Sequence, residues 1–425
     1  MTQRAGLISN MTWLGGAQVL ARLLQLAAYA SLARRLGEIG FGRFVYAFSL
    51  LDMVAFLATL GLPILYTRHI AADRTGHAHA ATLTKHRLTL AVVLFGSLWL
   101  WLIPPSIAVD LLAMMFAAML LRGYHHFGAS GLRGRERMEG EALATVAGRL
   151  VFTLAAGGGV WLVDEPAAML RVTFMGFLAG EMITLIMVTR SMRALGLVWD
   201  PPLPTPHQRA EVWRELLPFA AAGLLGLIAF RVDVVMLRSL STPLMADHLV
   251  GSYGAAYRIL EAGLFVPGAI AAALFPALVR TQTNGALPSA LFRRATLALA
   301  GLGLAGAAVL FYGAPHLMRV FAGQGYEQGI PALAALGAAV PFLFVNFALG
   351  SGVFAIGKEW WGFAGLCCSL LLNVLGNYWV MTRYPGQALV GAALFTAASE
   401  ATLTISHVLV LTLARRTNGS RRSSD

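Results

Sequence analysis

The sequence predicts an all-α integral membrane protein, on three observations. Hydrophobic residues make up 58% of the 425 residues, charged residues only 12%, and the mean hydropathy is +0.69. A soluble domain, by contrast, carries about a quarter charged residues. The apolar residues are gathered in runs of about 20, the length that crosses a bilayer as a helix. These runs lack the strict apolar–polar alternation that a membrane β-barrel requires.

Twelve apolar runs have this length, which predicts about 12 transmembrane helices. The predicted spans are residues 11–33, 43–66, 88–107, 109–128, 141–163, 168–189, 215–239, 249–279, 295–314, 330–356, 359–382 and 387–414. The longest polar connector, residues 191–213, is Pro-rich and too short for a separate folded domain.

Lysine and arginine are distributed unequally between alternate loops. One set of loops, which includes both termini, holds 20 of them, and the other set holds 7. The positive-inside rule therefore places the first set, and both termini, in the cytoplasm. The net charge of +12 is scattered between apolar runs, so it does not form the basic patch expected for nucleic-acid binding.

Two segments indicate an internal repeat. The sequence GRFVYAFSLLD at 42–52 aligns without gaps to GSYGAAYRILE at 251–261, so Asp52 matches Glu261, and the same offset places Arg22 on Arg231. Six spans per half give both halves one orientation, with a pseudo-two-fold axis along the membrane normal and a site expected in a central cavity between the lobes. The predicted divisions are a six-helix lobe (1–195), a cytoplasmic linker (196–213), a second six-helix lobe (214–414) and a disordered cytoplasmic tail (415–425).

Arginines within the spans are the candidate substrate-binding residues. Ionisable groups at this depth are costly and usually face a cavity or one another. Counting from the hairpin turns places Arg22, Arg231 and Arg258 at similar depths, and the planar guanidinium suits phosphate. The alternative is that they are buried ion pairs which only hold helices together. That structural interpretation is favoured for Arg149 and Glu181, which lie level across the turn between spans five and six.

Acidic residues at the same depth are candidates for the cavity or for ion coupling: Asp52, Asp233, Glu261 and Glu400. Glu400 has no cation at its predicted level, and His407 lies two helical turns away on the same face, so the two could relay a proton. The alternative is a neutral Glu400 hydrogen-bonded to the backbone or to Asn373. Asp233 is also a candidate structural partner for a neighbouring span. No catalytic residue, metal site or cofactor is predicted, and coupling to H⁺ or Na⁺ is left open.

Several stretches occur in a distinctive order along the chain. They include LARRLGEIGFGRFVYAFSLLDMVAFLATLGLP after the first span, LPFAAAGLLGLIAFRVDVVMLRSL in the seventh, VGSYGAAYRILEAGLFVPGAIAAALFPALVR in the eighth, then RVFAGQGYEQGIPALAALG, SLLLNVLGNYWVM and GQALVGAALFTAASE. In this order the chain resembles the polysaccharide (O-antigen type) flippases of the multidrug/oligosaccharidyl-lipid/polysaccharide (MOP) exporter superfamily.

The resemblance implies two six-helix lobes around a central cavity, with alternating access. It implies that a polyprenyl-diphosphate-linked oligosaccharide is flipped across a bacterial inner membrane for surface polysaccharide synthesis, with a polysaccharide polymerase complex as a further partner. In the related lipid II flippases, cavity arginines engage the diphosphate, and Arg22 matches one such position. A second such position is Ala28 here, and twelve spans fall short of their usual fourteen. Both departures argue against a peptidoglycan precursor as the substrate.

Two other functions compete with this interpretation. A drug/cation antiporter of the same superfamily should have a cavity that favours cations, so an arginine belt counts against it. An integral-membrane glycosyltransferase or polymer ligase needs a catalytic outer loop. Here the outer loops are short, the richest being PHLMRVFAGQGYEQG, and a transporter is therefore predicted rather than an enzyme.

Overall fold

All regular structure in the described part of the chain is helical. The computed structural model describes residues 2–102, 107–281 and 289–422. The predicted all-α fold class is confirmed over these ranges. By packing, the chain divides into two compact units, Met1–Leu227 and Ile228–Asp425.

The helices of the first unit begin with a long, kinked one. They are α1 (Thr2–Phe56), α2 (Leu62–Ala71), α3 (Thr75–Leu102), α4 (Val109–Gly134), α5 (Glu139–Phe152), α6 (Pro166–Ala194) and the first part of α7 (Pro206–Leu240). A π-helical turn, Thr153–Gly158, and a 3₁₀ turn, Gly159–Trp161, continue α5. Within α1, Gly37 has φ 65° and ψ 178°, a conformation open essentially to glycine alone. This kink separates the first two predicted spans.

The start of α7 packs into the core of the first unit. Leu65 on α2, Phe127 on α4, Met192 on α6 and Val212 on α7 belong to one buried cluster. The preceding segment, predicted as a linker, contributes the buried Leu197 to the same cluster. A Pro-rich stretch that carries such apolar side chains lies against the helices because burial removes those side chains from water. The boundary between the units falls within α7, after Leu227.

The second unit contains the rest of α7 and the C-terminal helices. They are α8 (Pro243–Gly263), α9 (Phe265–Thr281), α10 (Ser289–Ala322), α11 (Gly329–Leu336), α12 (Val340–Ala355), α13 (Glu359–Arg383) and α14 (Ala388–Arg422), with 3₁₀ turns at Gly337–Ala339 and Pro385–Gln387. The predicted eighth span, 249–279, is divided between α8 and α9. In addition, α14 continues over residues 415–422, where the sequence predicts a disordered tail, because each added residue extends an existing helix by one hydrogen bond.

Several helices have the dimensions of membrane spans. Among the described residues, 8 helical segments are long and apolar enough to cross a membrane. In α13, Trp360 and Trp361 are 60% and 63% exposed near one end, and Tyr378 and Trp379 are 56% and 52% exposed near the other. These pairs lie about 27 Å apart along the helix, close to the thickness of the hydrocarbon core. Exposed aromatic residues at this spacing are typical of a span with an interfacial belt at each end.

Candidate functional site

Two arginines share one carboxylate in the hairpin of α7 and α8. Arg231 Nη1 donates to Glu261 Oε1 at 2.8 Å, and Arg258 Nη1 donates to Glu261 Oε2 at 2.5 Å. Arg258 is 5% exposed, so its charge is almost fully removed from solvent. These three side chains together carry one net positive charge. We call Arg231, Arg258 and Glu261 the arginine cluster.

The local sequence explains how the arginine cluster forms. The turn at Ser241 and Thr242 reverses the chain, and Pro243 starts α8 at a position where its missing N–H costs nothing. Arg231 on α7 lies within hydrogen-bond distance of Glu261 in the last turn of α8, although Glu261 is farther along the chain from this reversal. Arg258 and Glu261 are three residues apart and therefore lie on one face of that helix.

Arg22 and Asp52 occupy the two arms of α1 on either side of Gly37. Arg22 is exposed and Asp52 is partly buried. Asp52 lines a cavity of about 290 Å³ in the first unit, together with Arg122, His126 and Arg133. The lining of this cavity therefore combines one carboxyl with three basic side chains.

Glu400 accepts a hydrogen bond from Asn346 on α12, whereas the sequence offers Asn373 on α13 as its partner. Asn346 Nδ2 on α12 donates to Glu400 Oε2 at 2.7 Å, and Thr404 Oγ1 donates to Asn346 Oδ1 at 2.9 Å. No described cation pairs with the Glu400 carboxyl. His407 is 6% exposed, and its Nδ1 has no hydrogen-bond partner among the described residues.

Asp233 lies at the centre of a separate buried network in the second unit. Its carboxylate accepts hydrogen bonds from Tyr253 Oη at 2.7 Å, Thr396 Oγ1 at 2.8 Å and Asn377 Nδ2 at 2.7 Å. Asn377 also donates to Asn373 Oδ1 at 3.0 Å. Asn373, which the sequence offers as a partner for Glu400, therefore belongs to this network. The donors come from α8, α13 and α14, so Asp233 joins three helices to α7.

Arg149 and Glu181 form the buried ion pair that the sequence predicts. Arg149 Nη1 lies 3.0 Å from Glu181 Oε1, and His125 Nε2 lies 2.6 Å from the other carboxylate oxygen. The adjacent glycines explain the approach, because a Cβ on Gly148 would lie 2.6 Å from the carbonyl oxygen of Gly180. The pair is confirmed, and His125 is a third member that the sequence expectation misses.

Lys85 is buried, although the predicted spans place it in the loop between the second and third spans. Its Nζ donates to Ala58 O at 2.9 Å and to Thr59 Oγ1 at 3.1 Å, and it lies 4.9 Å from the centre of the Tyr124 ring. It therefore satisfies backbone and side-chain oxygens of the turn between α1 and α2. Burial lowers the pKa of Lys85 to about 7.

We expect the stability of the first unit to rise with pH between about 7 and 10.5 through Lys85. In this window the unfolded chain binds a proton at Lys85 that the folded protein does not, so unfolding becomes less favourable as pH rises. Thermal unfolding of purified protein in detergent, from pH 6.5 to 9.5, measures this. Relative to Lys85→Met, the wild-type Tm should climb with pH, while Lys358→Met, at an exposed lysine, should follow the wild type. A pH-independent difference between wild type and Lys85→Met would contradict the assignment.

Comparison with known proteins supplies the family. The sequence model of the family described as "Polysaccharide biosynthesis protein" matches residues 7–282, about two thirds of the chain. The chain belongs to this family. The matched range includes most of α1 and the whole arginine cluster. Comparison of the chain with curated proteins finds no match.

The fold of this polysaccharide biosynthesis family member is similar to solved MATE transporters of the MOP superfamily. A multidrug resistance MATE family transporter in an inward-facing conformation has a TM-score of 0.74 at 16% identity, covering 95% of this chain and 96% of that one. An outward-facing MATE family structure has a TM-score of 0.69 at 15% identity, with 98% and 97% covered. A mutant of the Vibrio cholerae MATE transporter VcmN has a TM-score of 0.64 at 13% identity, with 98% and 99% covered. The chain therefore has the fold of these solved MATE family transporters.

Proposed function

We propose that this protein flips a polyprenyl-diphosphate-linked oligosaccharide from the cytoplasmic to the outer leaflet of a bacterial inner membrane. Both termini lie in the cytoplasm in this proposal, and the two units alternate access to the substrate. Membership of the polysaccharide biosynthesis family supports a substrate of this class. A polysaccharide polymerase complex that uses the flipped product is the proposed partner, and the protein itself has no catalytic role.

The arginine cluster is the observation that carries the proposal. It contains two guanidinium groups and one carboxylate within the predicted spans, where an ionisable group usually faces a cavity or an opposite charge. A diphosphate is such a charge, and guanidinium groups can bind its oxygens in pairs of parallel hydrogen bonds. Arg231 and Arg258 are therefore the proposed diphosphate ligands in the second unit, and Arg22 is the proposed ligand in the first.

A drug/cation antiporter is the second candidate, because the matched solved structures include a multidrug resistance transporter. The charge of the arginine cluster favours an anion over a cation. The deciding experiment uses purified protein in liposomes, with a fluorescent polyprenyl-diphosphate oligosaccharide in one set and a lipophilic cation in another. Protein-dependent movement of the diphosphate lipid between leaflets supports the proposal. Transport of the cation without movement of the diphosphate lipid would overturn it.

Glu400 is the coupling site that we propose, with H⁺ as the ion. Its carboxyl has an amide hydrogen bond and no described cation partner, so neutralising it by a proton removes a buried charge. His407 is the proposed inner relay, two helical turns along α14. The other candidates have stronger structural roles: Glu261 pairs with two arginines and Asp233 joins four helices. Asp52 lines a cavity together with Arg122 and is the alternative coupling acid in the first unit.

Glu400→Gln should remove the response of transport to an imposed pH gradient while leaving substrate binding unchanged. Glutamine keeps a side-chain carbonyl that can accept the hydrogen bond from Asn346 but cannot take up a proton. Transport in liposomes with and without a pH gradient measures this, and Ser351→Ala on α12 is a control, because among the described residues its hydroxyl bonds to its own helix, at Phe347 O. If Glu400→Gln retains both the wild-type rate and its pH dependence, the relay is wrong, and Asp52→Asn is the next test.

A further inference from the structure

A cavity at one end of the first unit has apolar walls and a basic rim. Its volume is about 560 Å³, and it lies between α3, α4, α6 and the segment that follows α6. Leu121 on α4 and Leu185 and Ile186 on α6 form the apolar part of the lining. Ile186 is 42% exposed, so this wall is open to the surroundings of the unit.

Two arginines stand at the rim of this cavity. Arg190 and Arg193 lie in the last turns of α6, and both are exposed. Among the described residues, neither arginine pairs with a carboxylate. The loop charges predict that this end of α6 faces the cytoplasm, where arginines meet the phosphate groups of anionic lipids.

The polar groups of the remaining wall satisfy one another. The carbonyl oxygen of Trp199 can only accept, so the 2.7 Å contact places the proton of His86 on Nε2. His86 Nδ1 lies 2.8 Å from the Tyr124 hydroxyl, so both ring nitrogens have a hydrogen-bond partner in the wall. The permanent positive charge in the lining comes from the two arginines.

The segment after α6 is held against the cavity by one of its side chains. Trp199 Nε1 donates to Thr189 Oγ1 on α6 at 3.0 Å, and both residues line the cavity. The indole forms part of the wall beside the arginines. A molecule in the cavity would therefore contact both α6 and the segment that leads to α7.

We propose that this cavity binds an anionic phospholipid. Arg190 and Arg193 hold the phosphate, and an acyl chain lies along Leu121, Leu185 and Ile186. This arrangement fits both the headgroup and the acyl chain of an anionic phospholipid. Two positive charges lie at the predicted membrane interface for the headgroup, and an apolar groove lies next to them for the acyl chain. The bound lipid stabilises the docked position of Trp199. This site is separate from the arginine cluster and does not depend on the proposed substrate.

The test is native mass spectrometry of the full-length protein, delipidated in detergent and titrated with phosphatidylglycerol or with phosphatidylcholine of the same acyl chains. We expect tighter binding of phosphatidylglycerol. Arg190→Gln with Arg193→Gln should weaken that binding about 25-fold, from about fivefold for each arginine near a lipid headgroup. Phosphatidylcholine binding should weaken less, because its choline cation offsets the charge of the phosphate. Arg293→Gln with Arg294→Gln, a pair of exposed arginines outside the cavity, is the matched control and should bind as the wild type does.

A second variant tests the apolar half of the site. Leu185→Trp fills the groove and keeps both arginines, so it should weaken binding of both lipids. Equal phosphatidylglycerol affinity in the wild type and in the double arginine variant would overturn the proposal. It would also be overturned if inorganic phosphate alone bound as tightly as phosphatidylglycerol, since the site would then hold a free ion and not a lipid.

Discussion

Arg258→Ala should abolish transport of the diphosphate lipid while the protein still inserts and folds. The substitution leaves Arg231 paired with Glu261, so this carboxylate keeps a guanidinium partner. What is lost is one of the two guanidinium groups that we propose for diphosphate binding. Losing one or two charged hydrogen bonds should weaken binding about 10- to 100-fold. Binding of the fluorescent lipid by the purified variant and its movement in liposomes measure both effects.

The controls separate charge from geometry. Arg258→Lys keeps the charge but not the planar fork, so it should retain part of the affinity. Arg383→Ala, at an exposed arginine at the end of α13, should behave as the wild type. Wild-type transport by Arg258→Ala at equal protein levels would exclude this residue from the substrate site.

Glu181→Ala should cost the first unit about 3–5 kcal/mol of unfolding free energy, the largest stability effect that we expect from one substitution. The Glu181 carboxylate is 1% exposed and is the shared acceptor for Arg149 and His125. Without it, the Arg149 guanidinium stays buried with no compensating charge. Denaturant unfolding in detergent, followed by intrinsic tryptophan fluorescence, measures the loss.

The double variant Arg149→Leu with Glu181→Leu distinguishes a lost ion pair from a lost contact. It removes both charges, so it should be markedly more stable than Glu181→Ala, because no uncompensated ion remains. Glu181→Gln, which keeps the shape of the side chain but not its charge, should lie between Glu181→Ala and the wild type. If the double variant is as unstable as Glu181→Ala, packing around these side chains and not charge compensation is the cause.

Much of the fold could be predicted because hydrophobicity and charge order are local properties of the chain. Apolar runs of span length predicted the all-α class, and the structure confirms helices there. Spacing along one helix was equally informative: Arg258 and Glu261 are three apart and share a face, and they pair. Counting from a turn also succeeded for Arg149 and Glu181, because two helices joined by a short connection run antiparallel at known rise per residue.

Contacts between helices that are distant in the chain were decided only by the tertiary structure. The sequence offered Asn373 as a partner for Glu400, but the structure uses Asn346, because the rotation of α12 and α14 about their axes determines which side chains meet. The same holds for Lys85, which charge counting placed in a loop and which packing buries against the turn after α1. Composition and periodicity were therefore enough to predict that this is a membrane protein and where its helices lie. The partner of each buried polar group depended on helix rotation and close packing, which no local pattern encodes.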